Sequence, residues 1–148
     1  MDPRTAHEVA RALHGEQVAA SGGRVIEHVE RVAAAVPPQA RVVAFLHDVL
    51  ERTETTVESP VLQGLSPDEL AALRLLTRMP GEPYELYVLR IAYAPGPAGA
   101  LARTVKAADL DDHLRPDTRP PRRHPPYRWA RRHIAIARDR LDTALPAT

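Results

Sequence analysis

Apolar positions recur along most of this chain at three- and four-residue intervals, with charged positions between them. That spacing is helical, because side chains at i, i+3 and i+4 share one face. Residues 5–20 read as a helix that stops near Ser21-Gly22-Gly23. Val25, Val29, Val32 and Val36 mark one face of a second helix over 24–36. Pro37-Pro38 ends that helix and opens a third over 39–51. The third contains VVAFLHDVL, which is apolar all round, so a central buried helix is predicted. Ser66-Pro67-Asp68-Glu69 has the form of a capping box with Pro at the first helical position, and starts a helix to about Arg78. Pro83 opens another to Tyr93, and residues 98–114 form the next. A Pro- and Arg-rich loop over 115–126 leads to a closing helix over 127–145, with Ile134, Ala137 and Leu141 packed inward. No strand and no repeat is predicted. The expectation is an all-α single domain spanning 1–148, a compact bundle of about seven helices.

Composition supports helices over sheet. Hydrophobic residues make up 44% of the 148 residues but aromatics only 4%. The core must then come from Ala, Leu and Val, which suits helix packing. Cysteine is absent, which excludes disulfides, thiolate metal sites and thiol nucleophiles. Any bound metal must be held by His, Asp or Glu. MDPRTAHEVARALHG lacks the unbroken apolar run of a signal peptide, and no stretch reaches the length of a membrane span. A cytoplasmic protein without a membrane partner is expected. Net charge is +1, so the overall field argues neither for nor against nucleic acid.

The candidate chemistry starts at His47-Asp48. A carboxylate set among Val43, Ala44, Leu46 and Val49 is costly unless its charge is compensated. A second cluster lies in VKAADLDDHL. Asp109 and Asp112 fall on the helix side of Leu101, Val105 and Ala108, whereas Asp111 belongs to the solvated side. His28 borders the valine face of its own helix. His28, His47, Asp48 and Asp109 together give two imidazoles and two carboxylates from three helices. Such a set suits Mn²⁺, Fe²⁺ or Zn²⁺, and leaves positions open for water and substrate. An ion there makes hydroxide available near neutral pH, with Asp48 at the reacting centre. Glu51, one turn after His47, is placed to orient that water or shuttle its proton.

Lys106 is the single lysine among 20 Lys and Arg, and lies three residues before Asp109, within reach of a substrate phosphate. Tyr84, Tyr87 and Arg90 share one helix, the tyrosines as stacking surfaces for a base and Arg90 as a phosphate contact. Arg78 has a similar claim. Arg52, Asp112 and His113 complete the substrate-binding candidates, although Asp112 can instead orient another group.

The ordered set His28, His47-Asp48, Asp109 resembles the HD superfamily of metal-dependent phosphohydrolases. HGEQVAASGGRVIEH, AFLHDVLERT and VKAADLDDHL resemble the motifs of RelA/SpoT-type and small stand-alone alarmone hydrolases, and LTRMPGEPYELYVLRIA resembles a segment of small bacterial HD proteins. Together these span residues 14–114. The resemblance implies an all-α HD-domain bundle, a Mn²⁺-like ion, and hydrolysis of a phosphate or pyrophosphate bond in a nucleotide-like substrate such as a guanosine tetraphosphate-type alarmone, another nucleotide or a small phosphate ester. Three positions depart from the pattern. Arg52 follows Glu51 where that group has Asp. His113 stands in place of Asn, and Ala19 in place of a base-contacting Arg.

Three other readings compete. An HD fold with feeble catalysis would act as a nucleotide-binding or sensor module. Arginines interleaved with Tyr127 and Trp129 in 115–140 hint at RNA binding, but a solvated amphipathic helix accounts for them better. Di-iron oxygenase chemistry would need further ligands, for which only His14, His113 and His124 are available. A small-molecule substrate is the expected partner, and a homo-oligomer is compatible with the sequence.

Overall fold

Asp2 accepts a hydrogen bond from the Thr5 N–H, and Pro3 fills the first turn, so helix α1 (Pro3–His14) begins where both signals coincide. It ends earlier than the expected 5–20 helix. Gly15 takes φ +50°, and its N–H closes on the Arg11 carbonyl. The next residues turn back through an isolated antiparallel bridge between Val18 and Arg24. In this computed structural model, which describes residues 1–118 and 124–143, the regular elements are otherwise helical.

Helix α2 (Val25–Ala35) buries Val25, Val29 and Val32, and Val36 is buried just beyond its end. The expected helix over 39–51 is broken into pieces. A 3-10 turn, Pro38–Ala40, leads into α3 (Arg41–Leu46), then His47 and Asp48 step out of the ladder before α4 (Val49–Arg52). Asp48 has φ −96° and ψ −6°, in the sparsely populated bridge region where functional side chains recur. A 3-10 turn Pro60–Leu62 follows. Helix α5 (Pro67–Leu76) starts with the full capping box between Ser66 and Glu69. Helix α6 (Tyr84–Ala92), α7 (Gly96–His113) and α8 (Tyr127–Leu141) complete the bundle. Only 115–118 and 124–126 of the Pro/Arg-rich segment, and no residue past 143 of the expected closing helix, lie within the described residues.

The longest helix, α7, occupies the centre and packs against α2, α3, α5, α6 and α8. It can approach its neighbours closely because its inward residues include Gly99, Ala102, Ala107 and Ala108. A Cβ at Gly99 would lie 2.0 Å from the Ala94 carbonyl oxygen, so any side chain there would force the α6–α7 connection apart. The main core joins Val32, Val43, Leu46, Leu73, Val88, Ile91, Val105, Leu110 and Ile134. Each such side chain contributes roughly 1.5–3 kcal/mol through burial. Ile134 and Ala137 pack inward as the pattern predicts, but Leu141 is exposed, being in the last turn of α8. Arg103 is 2% exposed, and donates to the carbonyls of Ile91, Ala92 and Ala94 and to Asp142. It thereby satisfies the end of α6 and ties α8 to α7. No helix among the described residues is long and apolar enough to cross a membrane.

Candidate metal centre

Three elements bring polar groups to one point on the buried side of α7. Helix α2 supplies His28, the break between α3 and α4 supplies His47 and Asp48, and α7 supplies Lys106, Asp109, Asp112 and His113 at i, i+3, i+6 and i+7. The break matters. A continuous helix would rotate successive residues by ~100°, whereas here His47 Nε2 approaches Asp109 while the neighbouring Asp48 carboxylate approaches both His47 and His28. His47 Nε2 lies 3.5 Å from Asp48 Oδ1 and 3.6 Å from Asp109 Oδ1. His28 Nε2 lies 3.1 Å from Asp109 Oδ1 and 4.0 Å from Asp48 Oδ2. Ligands about 2.1 Å from a common ion stand about 3.0–3.4 Å apart; the His28–Asp109 spacing of 3.1 Å falls in that range, and the other three, at 3.5, 3.6 and 4.0 Å, are wider.

The imidazoles are aimed from behind. His47 Nδ1 donates to the Ala44 carbonyl at 2.7 Å. His28 Nδ1 bonds Asp112 Oδ2 at 2.6 Å, and Asp112 is gripped by the Arg31 guanidinium through two bonds of 2.7 and 3.0 Å. Metal-ligating histidines are oriented in this way. Both Nε2 atoms are buried and lack a hydrogen-bond partner. The Asp109 oxygen near His28 is close enough but off the N–H direction. An unpartnered buried group costs roughly 1–3 kcal/mol, and an ion on the far side of each ring removes that cost.

The electrostatics favour a cation at the same point. Burial alone would raise Asp109, but Lys106 and the surrounding histidines hold its carboxyl well below the usual range. Asp48 is lowered against its burial by His47, Arg52 and His28. Burial opposes charge on His28, yet the Asp109 and Asp112 carboxylates outweigh it and push the imidazole up to about 9. His47 is raised against burial by Asp48 and Asp109. Protons on the imidazoles therefore balance the acids, and a divalent cation competes for that place.

The four expected ligands, His28, His47, Asp48 and Asp109, come together, and the sets His28–His47–Asp48 and His28–Asp109–His113 are each close enough to hold an ion. His113 is a member that the sequence reading placed with the substrate. Its Nε2 is 3.2 Å from Asp109 Oδ1, and its ring stacks on Tyr127 at 4.6 Å. Its signal was the four-residue spacing from Asp109. Arg31, three residues after His28, was missed although its spacing was equally legible. Neither His14 nor His124 joins either set.

A cavity of about 220 Å³ opens beside this centre, lined by residues that include His47, Asp48, Glu51, Arg52, Lys106, Tyr84 and Tyr87. Glu51 accepts from the Arg78 N–H at 3.1 Å, and its carboxyl is raised by surrounding protein and by Asp48. Arg52 donates to Asp48 Oδ2 at 3.0 Å. Two of the substrate-binding candidates, Arg90 and Asp112, lie off this cavity. Arg90 does not line the cavity; Glu82 and the carbonyls of Leu75 and Thr77 engage its guanidinium. Tyr84 and Tyr87 line the cavity, Tyr87 with its hydroxyl on the Leu76 carbonyl and Tyr84 between Tyr87 and Tyr127. Asp112 is absent from the cavity wall and instead orients His28. Compared with known proteins, the chain matches no family model and no curated sequence.

Proposed function

We propose that this chain is a divalent-metal-dependent phosphohydrolase, cleaving a phosphate or pyrophosphate bond in a nucleotide-like substrate or small phosphate ester. The reading is carried by the convergence of His28, His47, Asp48 and Asp109, with two buried Nε2 atoms left unpartnered toward the carboxylates. The likeness of their surrounding motifs to the HD superfamily supports it, and Mn²⁺ is the ion that likeness favours, with Fe²⁺ or Zn²⁺ suited to the same donors. When bound, such an ion acidifies a coordinated water and polarises a phosphoryl oxygen. The remaining tasks belong to the chain. Asp112 and the Ala44 carbonyl fix the two imidazoles. Glu51, its carboxyl raised, stands on the cavity wall where it can accept a proton from water.

One observation favours a second reading. Arg52, held against Asp48, sets a cation beside a candidate ligand where the alarmone hydrolases have an acid. A catalytically weak nucleotide-binding or sensor module would tolerate that. Metal analysis of the pure protein, followed by a Mn²⁺-supplemented screen of nucleotides and phosphate esters for released phosphate and pyrophosphate, separates the two. Metal with turnover supports the hydrolase; metal with nucleotide binding but no turnover supports the sensor. His47→Ala and Asp109→Ala should abolish metal retention. Retention at the parent level in both would sink the site.

A further inference from the structure

Lys106 is 6% exposed, and its ammonium sits 5.1 Å over the Tyr87 ring. One N–H reaches Asp109 Oδ2 at 2.7 Å. An ammonium has three donors, and beyond Asp109 only the Tyr87 oxygen adjoins it among the described residues. Tyr84 is 9% exposed, and its hydroxyl is buried without a partner among those residues. Two nine-tenths-buried groups therefore hold unused donors. Both line the 220 Å³ cavity that also borders His47, Asp48 and Asp109. That space equals roughly seven waters at ~30 Å³ each, ample for a phosphoryl group.

We propose that Lys106 and the Tyr84 hydroxyl, with the Arg78 side chain at the rim, form a subsite for the oxygens of a phosphoryl group held beside the ion. This rests on the metal-dependent reading above. Unfilled buried donors call for a ligand that brings acceptors, and a compact oxyanion brings several at once. Arg78 adds positive charge, its guanidinium lying 5.7 Å from the centre of the Tyr84 ring while it also donates to the Glu82 carbonyl. Burial pushes the Tyr84 phenol up, so it keeps the proton it would donate. Tyr84 thus acts through its oxygen, and its ring is wall.

The decisive variant is Tyr84→Phe. It removes a hydroxyl that bonds nothing in the protein, so thermal stability should hold or rise. Mn²⁺ is titrated first into metal-free parent and variant, then inorganic phosphate into each Mn²⁺-loaded protein, both by calorimetry. The expected result is equal Mn²⁺ affinity and roughly tenfold or greater weakening of phosphate in the variant, the scale of a hydrogen bond to a charged group. Equal phosphate affinity in the two proteins, or no phosphate binding by the Mn²⁺-loaded parent, overturns the subsite and leaves the metal centre standing. No Mn²⁺ binding by the parent overturns both.

Discussion

Asp112 holds His28 by a 2.6 Å bond to Nδ1, from a position 84 residues away in the chain. The carboxylate cannot drift, because Arg31 grips it bidentately and Arg115 approaches to 3.4 Å. Asp112→Asn keeps the shape but weakens the acceptor that aims Nε2. Removing such an orienting partner lowers metal affinity by about 10–100-fold. Calorimetric titration of Mn²⁺ into the variant should show that loss with the helical content retained. Unchanged affinity would mean that His28 needs no such support.

Proton and metal compete at the same imidazole, and this gives a pH signature. His28 is raised from 6.5 to about 9 in the protein without metal. A raised pKa stabilises the fold fully below 6.5, and that contribution is lost as pH climbs through 9. Metal binding needs the neutral ring, so it strengthens over the same interval. With chelator, Tm should fall between roughly pH 6.5 and 8.5; with excess Mn²⁺, the difference between the two Tm values should widen. Parallel curves would refute the shared site.

Much of this was legible because helices write their faces into sequence. The valines of α2 and the capping box of α5 gave those elements directly, and Asp109 betrayed itself as a carboxylate on an apolar face. The break at His47-Asp48 was not legible. Nothing in VVAFLHDVL is a Gly or Pro, so the local pattern runs straight through, whereas in the fold His47 reaches Asp109 on α7 and Asp48 turns toward His28 on α2. Arg90 was misjudged for a related reason. Its spacing from Tyr84 and Tyr87 was visible, but Glu82 and the carbonyls of Leu75 and Thr77 at the end of α5, which claim it, reach it only through the fold.

Away from the site, Arg103 makes a buried charge pairing with Asp142. Its guanidinium serves three carbonyls at the end of α6 and grips Asp142 at 2.6 Å. Arg103→Leu retains much of the stem packing but strands those acceptors. Breaking a buried pair from one side costs about 3–5 kcal/mol, and Asp142, being 20% exposed, sets this case near the lower figure. The midpoint of urea unfolding should fall accordingly, with little change in the slope. A shift below about 1 kcal/mol would show that water replaces the guanidinium.

Arg52 yields a prediction of opposite sign. Its guanidinium donates to Asp48 Oδ2 at 3.0 Å, with about a third of the Arg52 side chain exposed. Asp48 is also a candidate ligand, so this cation competes with the ion for one carboxylate and repels it. Arg52→Ala removes the competitor and leaves Asp48 buried beside His47. Partly exposed ion pairs contribute about 0.2–1 kcal/mol, so Mn²⁺ affinity should rise, by up to about fivefold at the upper end of that range. A backbone effect is excluded as the cause, because the Gln17 side chain bonds the Arg52 carbonyl, which alanine keeps. Weaker Mn²⁺ binding in the variant would mean that Arg52 instead holds Asp48 in its ligating position. Turnover of phosphate esters measured on the same variant then weighs the hydrolase against the sensor, since a gain in rate on losing this guanidinium would identify it as the brake on an otherwise competent centre.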